Sequence, residues 1–210
     1  MLRNIAYNLQ FKSVDAIKLI EIIAIVSGII SVWFSRKENI WVYPSGLINT
    51  LVYVYLSFEG DLFGEAAVNF YYTIMSLYGW YNWMRKDQSK TLIVHVTHSS
   101  KSEWHGELGF FAGIYVVIFI ALTYIKNAFA PGAIPWADAL ASASAFTAMW
   151  LMTKKKVNSW VWWIVTNVAS IPLYFVKGYT FTAVYYIILL VLAIMGLQTW
   201  RKKANENGGY

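Results

Sequence analysis

Seven stretches of the chain are apolar for about the length a helix needs to cross a bilayer: residues 16–35, 41–58, 62–84, 108–126, 135–153, 159–176 and 180–200. Polar residues gather in the short segments between them, and the longest such segment holds His95, His98 and His105. The pattern predicts an all-α integral membrane protein with seven transmembrane helices. The first run is too long for a signal-peptide core, is followed by Arg36 and Lys37 and has no small-residue cleavage site, so it reads as a permanent span. Residues 1–14 read as a short interfacial helix.

Composition narrows the class. Of 210 residues, 58% are hydrophobic and 13% charged, against roughly 25% charged in a soluble domain. Seven spans use most of the chain, which leaves one transmembrane domain, 1–210, and no room for a soluble one. The absence of cysteine excludes a disulfide framework, a thiolate metal site and a thiol nucleophile. No cofactor is expected. The net charge of +6 does not make a nucleic-acid binder, because the cations lie between apolar runs and form no patch on a soluble surface. They read instead as a topology signal. Arg36, Lys37, Arg85, Lys86, Lys90, Lys101, Lys154, Lys155, Lys156, Arg201, Lys202 and Lys203 fall on one side; Arg3, Lys12, Lys18, Lys126 and Lys177 fall on the other. The excess of positive charge places the C-terminus in the cytoplasm and the N-terminus outside.

The chain also repeats itself. Asn39-Ile-Trp41-Val42 recurs as Asn158-Ser-Trp160-Val161, 119 residues later, each after a basic pair. Asn49, Gly60 and Phe63 then match Asn167, Gly178 and Phe181, and Gly79-x-x-x-Trp83-x-Arg85 matches Gly196-x-x-x-Trp200-Arg201. Spans 1–3 (16–86) therefore correspond to spans 5–7 (135–203). Three helices end on the side opposite their start, so two parallel copies need an inverting span between them, here 108–126. The expected architecture is 3+1+3, as in SWEET-like carriers, with substrate held near the membrane midplane between the repeats.

Polar residues within spans usually face a bundle interior or a water-filled cavity. Trp163, Asn167, Ser170 and Tyr174 share one helical face of span 6; Asn69, Tyr72 and Ser76 share one of span 3; Asn49 follows Ser45 on span 2. With Trp80, these aromatics beside amides and hydroxyls could sandwich a flat ring and hydrogen-bond a sugar or amide. The plainer readings are interfacial belts for Trp41, Trp83, Trp160 and Trp200, and helix-to-helix hydrogen bonds for the asparagines and serines. Pro172, in the interior of span 6, is a candidate hinge. Glu21, Glu65 and Asp138 lie near external span ends, where they can reach water without coupling transport to an ion. His-x-x-His in the long loop has too few companions for a metal site. No nucleophile–base pair for an enzyme is visible.

The segment Tyr78-Gly79-Trp80-Tyr81-Asn82-Trp83-Met84-Arg85-Lys86 resembles the Gly-Trp-x-x-Trp signature of the Pnu-type vitamin transporters. Trp162-Trp163 with Asn167 and Pro172-Leu173-Tyr174, and the closing Gly196-x-x-x-Trp200-Arg201, are similar to the matching parts of that family's second repeat. The resemblance implies a SWEET-like seven-helix fold, a homotrimer in the bacterial cytoplasmic (inner) membrane, and facilitated diffusion of an unphosphorylated vitamin that a cytoplasmic kinase then traps. Nicotinamide riboside, thiamine and riboflavin all remain open as cargo, with nicotinamide riboside the first choice; a SWEET-type sugar carrier and a seven-helix sensor or enzyme are the competing readings. By resemblance, Trp162 and Trp163 would wall the aromatic ring and Asn167 would bind ribose or amide. The lack of Arg or Lys in mid-span argues against a phosphorylated cargo, whose charge would require such a partner.

Overall fold

A computed structural model describes the backbone of residues 2–59, 63–129 and 132–207, and the side chains of 17–59, 65–125 and 132–206. Gly60 and the side chains of Arg3, Lys12, Phe63 and Lys126 lie outside this set. The helices are α1 (Leu2–Arg36), α2 (Val42–Glu59), α3 (Phe63–Met84), α4 (Lys101–Phe129), α5 (Pro135–Thr153), α6 (Asn158–Val176) and α7 (Thr180–Asn207). The Ile17–Arg36, Lys101–Ile125, Asn158–Val176 and Thr180–Glu206 segments are long and apolar enough to cross a membrane. At 1.5 Å per residue, α2, α3 and α5 reach about 27–33 Å, close to the thickness of the hydrocarbon core.

Two boundaries differ from the sequence reading. Residues 2–14 are not a separate helix but the first turns of α1. The fourth helix starts at Lys101, ahead of its apolar run, because Ser100 and Glu103 form a reciprocal cap: Ser100 N–H donates to Glu103 Oε2 (2.8 Å), and Glu103 N–H donates to Ser100 Oγ (3.2 Å). His105 consequently lies on α4, not in the loop, and its Nδ1 lies 2.7 Å from Lys101 O. At the other end of the bundle, α6 runs unbroken past Pro172 and stops at Gly178, whose φ of 83° allows Tyr179 N–H to reach back to Tyr174 O.

Helix contacts run α1 to α2, α2 to α3, α3 to α5, α5 to α6, α6 to α7 and α7 back to α1, closing a ring of six; α4 packs outside it on α5. The small-residue stretch Ala137–Ala148 is mostly buried, since α5 touches α3, α4 and α6 and small side chains let helices approach.

One end of the ring is filled. Tyr43, Trp83, Met152, Val157, Trp160 and Trp200 form a single buried cluster there. Trp83 and Trp200 are not interfacial belts. Their indole N–H groups donate to Met152 O (3.2 Å) and Ser35 O (3.1 Å), carbonyls in the last turns of α5 and α1. The glycine one turn earlier makes room: a Cβ on Gly79 would lie 2.6 Å from Tyr43 Cζ, and one on Gly196 2.6 Å from Trp160 Cδ2. Trp160 is buried as well, whereas Trp41, 60% exposed, keeps the belt position. A shift of 117 residues carries Tyr43, Gly79, Trp83 and Ser35 onto Trp160, Gly196, Trp200 and Met152. It differs from the 119-residue match of Asn39 with Asn158 because Asn39 precedes α2 while Asn158 already begins α6.

Candidate functional site

The ring interior is bridged by aromatic side chains. Tyr72 of α3 approaches Trp163 of α6, with ring centroids 6.3 Å apart and planes tilted by 51°. Phe146 of α5 lies between their helices, 6.2 Å from Tyr72 and stacked at 4.1 Å on Tyr71, whose hydroxyl donates to Phe146 O. Further along the same face of α6 come Asn167, Ser170 and Tyr174, at spacings that keep them in line. Tyr174 stacks on Tyr186 of α7 at 5.2 Å, and the Tyr186 hydroxyl engages Ser170 and Tyr174. Tyr53 of α2 stands within electrostatic reach of Tyr186.

Asn167 stands apart. It is 3% exposed, and among the described residues its carboxamide meets no protein hydrogen-bond partner, while its polar atoms keep some accessible surface. A cargo with complementary polar groups could supply the missing partner. At the mouth nearest Tyr174, Lys177 Nζ pairs with Asp138 Oδ1 at 2.6 Å, while Asp138 Oδ2 accepts Ile134 N–H. Glu65, with Glu21, lies near Tyr53.

The structure gathers Tyr72, Trp163, Asn167, Ser170 and Tyr174 around one interior, and places the other candidates elsewhere. Asn49 donates to Ala24 O (2.7 Å), tying α2 to α1, and Gly28 leaves the space it occupies. Asn69 bonds back onto its own helix at Glu65 O. Ser76 is buried beside Gly46 of α2, and Trp80 flanks the cluster at the filled end. Trp162 faces outward, because consecutive residues on a helix diverge by about 100°. It packs on Phe111 of α4, and its indole donates to Glu107 Oε2 (3.3 Å).

Two residues escaped the sequence reading. Glu107, fully buried, also accepts two bonds from Asn158 Nδ2, pinning α4 to α6. The Ser100-x-x-Glu103 cap is the signal that would have moved it from loop to helix. Tyr186 was passed over because α7 is otherwise Ile, Leu and Val. Among the described residues no group of three His, Asp or Glu side chains is placed to hold a metal ion.

A family model described as nicotinamide mononucleotide transporter matches residues 18–202. The chain belongs to that family. Proteins similar to it include the nicotinamide riboside transporter PnuC of Escherichia coli (strain K12), 24% identical over 90% of this chain and 87% of the relative. The riboflavin/roseoflavin transporter RibM of Streptomyces davaonensis is 26% identical over 83% of this chain and 81% of its own. The crystal structure of the vitamin B3 transporter PnuC superposes with a TM-score of 0.72 at 21% identity, covering 98% of this chain and 93% of that one. The helix arrangement is thus shared with a solved member, and the chain is a membrane transporter of the PnuC type, not an enzyme.

Proposed function

We propose that the protein carries an unphosphorylated, flat heteroaromatic vitamin through the ring by facilitated diffusion, with nicotinamide riboside as the cargo. The observation that carries this reading is the Asn167 carboxamide, without a protein partner among the described residues, one turn from the Tyr72–Trp163 pair. Stacking on aromatic side chains contributes about 1–3 kcal/mol per ring. A pyridinium cation gains further from aromatic faces, and Glu65 at the mouth favours its approach. Phosphate finds no free cation in this region, since Lys177 is already held by Asp138. The similarity to PnuC of Escherichia coli supports the same cargo.

Entry without the phosphate fits trapping by a cytoplasmic kinase, and no ion gradient is required. Positive charge at the filled end supports an orientation with that end and the C-terminus in the cytoplasm of a bacterial inner membrane and the N-terminus outside. The paired contacts 117 residues apart support two parallel three-helix repeats with α4 as the linker, and the lipid-facing assembly is a homotrimer. The similarity to RibM favours riboflavin as the second reading.

Binding and proteoliposome uptake with nicotinamide riboside, riboflavin, thiamine and glucose test the proposal. Tightest binding of nicotinamide riboside, with uptake that stops at equal concentrations inside and out, is the expected result. Preference for riboflavin would transfer the assignment to the second reading, and no binding of any vitamin would overturn both.

A further inference from the structure

Outside the ring, at its filled end, the segment between α3 and α4 borders an open, shallow cavity of about 320 Å³ against the α5–α6 junction. Small-molecule sites have volumes of about 300–1,000 Å³. Polar lining comes from Asn82, His95, Thr97, Lys154 and Lys156. The wall is fixed on both sides: Thr97 N–H donates to Lys155 O (3.2 Å) and Thr97 O accepts from Val157 N–H (3.0 Å), while Asn82 Nδ2 donates to Thr153 O.

The two lysines of this cavity differ in their pairing. Lys156 pairs with Glu103 at 2.7 Å. Lys154, by contrast, has its ammonium 3.8 Å from the Trp150 ring centre and no carboxylate in ion-pair range among the described residues. Arg85 Nη1 donates to Asn82 Oδ1 (3.3 Å), and among the described residues no ion pair holds it. Of the other nearby acids, Glu107 accepts hydrogen bonds from Asn158 and Trp162 and Asp87 from Ser89 and Thr91, and Glu103 and Glu107 attract Lys154 only through space. Two lysine ammoniums, an imidazole and a hydroxyl around a rigid pocket suit a compact dianion.

The position gives such a ligand leverage. Lys154 and Lys156 flank Lys155, which points the other way, is 2% exposed and bonds Glu38 at 2.6 Å across the filled end of the ring. A ligand holding both flanking lysines would hold the junction through which that end must open.

We propose that this cavity binds the phosphate monoester of a nucleoside-sized metabolite, and that its occupancy slows transport from the lysine-rich side. The regulatory half rests on the transport reading above; the binding half does not depend on which vitamin is carried.

The test uses the full chain in phosphatidylcholine nanodiscs, with adenosine 5′-monophosphate and adenosine as probes. The monophosphate should bind at least about tenfold more tightly than adenosine. The double variant Lys154→Gln/Lys156→Gln should lose that preference while vitamin binding is kept, and Lys154→Arg/Lys156→Arg should retain it. In proteoliposomes, monophosphate on the lysine-rich side should slow vitamin uptake by the native chain and not by the Gln variant. Equal affinity for the two probes, or monophosphate affinity untouched by the Gln variant, would overturn the site. Loss of monophosphate binding when phosphatidylglycerol replaces phosphatidylcholine would also overturn it, assigning the cavity to a lipid headgroup. Binding without any change in uptake would overturn the regulatory half alone.

Discussion

Glu38 and Lys155 stand 117 residues apart, each just past the end of a helix, and their side chains meet at 2.6 Å. Both backbones are left-handed, with φ of 57° and 52°, and each helix end is closed by an N–H reaching back five residues, Asn39 to Phe34 O and Lys156 to Leu151 O. Glycine is the usual residue there. At these two positions the chain keeps an acid and a base, and Lys203 adds a second contact to Glu38 at 2.9 Å. The pair ties the α1–α2 turn to the α5–α6 turn.

Replacing one partner should therefore cost more than replacing both. Glu38→Gln leaves the buried Lys155 ammonium without a carboxylate, a loss of about 3–5 kcal/mol for such a pair. Glu38→Gln combined with Lys155→Met should recover most of it. Chemical denaturation of the purified protein measures the difference, and equal losses for the single and double variants would show that the pair is not coupled.

The same pair predicts an acid limit. Burial pushes the Glu38 carboxyl up, but hydrogen bonds from Lys155 and Lys203 outweigh it and hold the group below its ordinary 4.5. A depressed carboxylate stabilises the fold above its unfolded value and loses that contribution as pH falls through the folded one. Thermal stability should drop as pH is lowered below about 4.5, and Glu38→Gln should flatten that part of the curve.

Adjacent tryptophans should behave differently. Trp163→Ala removes a wall of the interior and should weaken vitamin binding roughly 10- to 100-fold. Trp162→Ala opens the contact with Glu107 and Phe111 and should lower the melting temperature with little change in affinity at temperatures where it stays folded. Equal affinity losses in isothermal titration would contradict this division.

The two asparagines offer a parallel contrast. Asn49→Ala breaks the bond to Ala24 O, worth about 1 kcal/mol of stability. Asn167→Ala breaks no protein hydrogen bond among the described residues and should cost binding, with little change in melting temperature. A large stability loss on Asn167→Ala would mean that its carboxamide is already satisfied without cargo.

Gly79→Ala and Gly196→Ala each place a methyl against a ring, Tyr43 or Trp160. Overpacking of this kind costs about 1–3 kcal/mol, measurable by denaturation. Vitamin affinity of the folded fraction should be retained, because both contacts lie at the filled end and not beside Asn167.

These glycines bear on how much the sequence could say. In the sequence, Gly-x-x-x-Trp is a repeat and a family mark whose tryptophans read as interfacial belts. In the structure its glycine admits an aromatic ring and its tryptophan caps the carbonyls of a distant helix, so the motif builds the ring more than it binds cargo. Trp163, Asn167, Ser170 and Tyr174 were legible as a face because helical spacing is fixed by hydrogen bonding. Tyr186 was not, since a tyrosine in an aliphatic helix gives no periodic signal, and Glu107 was hidden by a helix start that depends on a cap.

By itself, the sequence determined the seven helices and the family: apolar runs of span length leave the backbone no other way to satisfy its hydrogen bonds in lipid. Only the tertiary structure decided which polar residues face the interior, that Trp162 and Asn49 are structural ties while Asn167 is unpaired, and that Glu38 meets Lys155. The reason is physical. Helical periodicity fixes which side chains share a face, but which neighbour that face meets depends on contacts between residues more than a hundred positions apart.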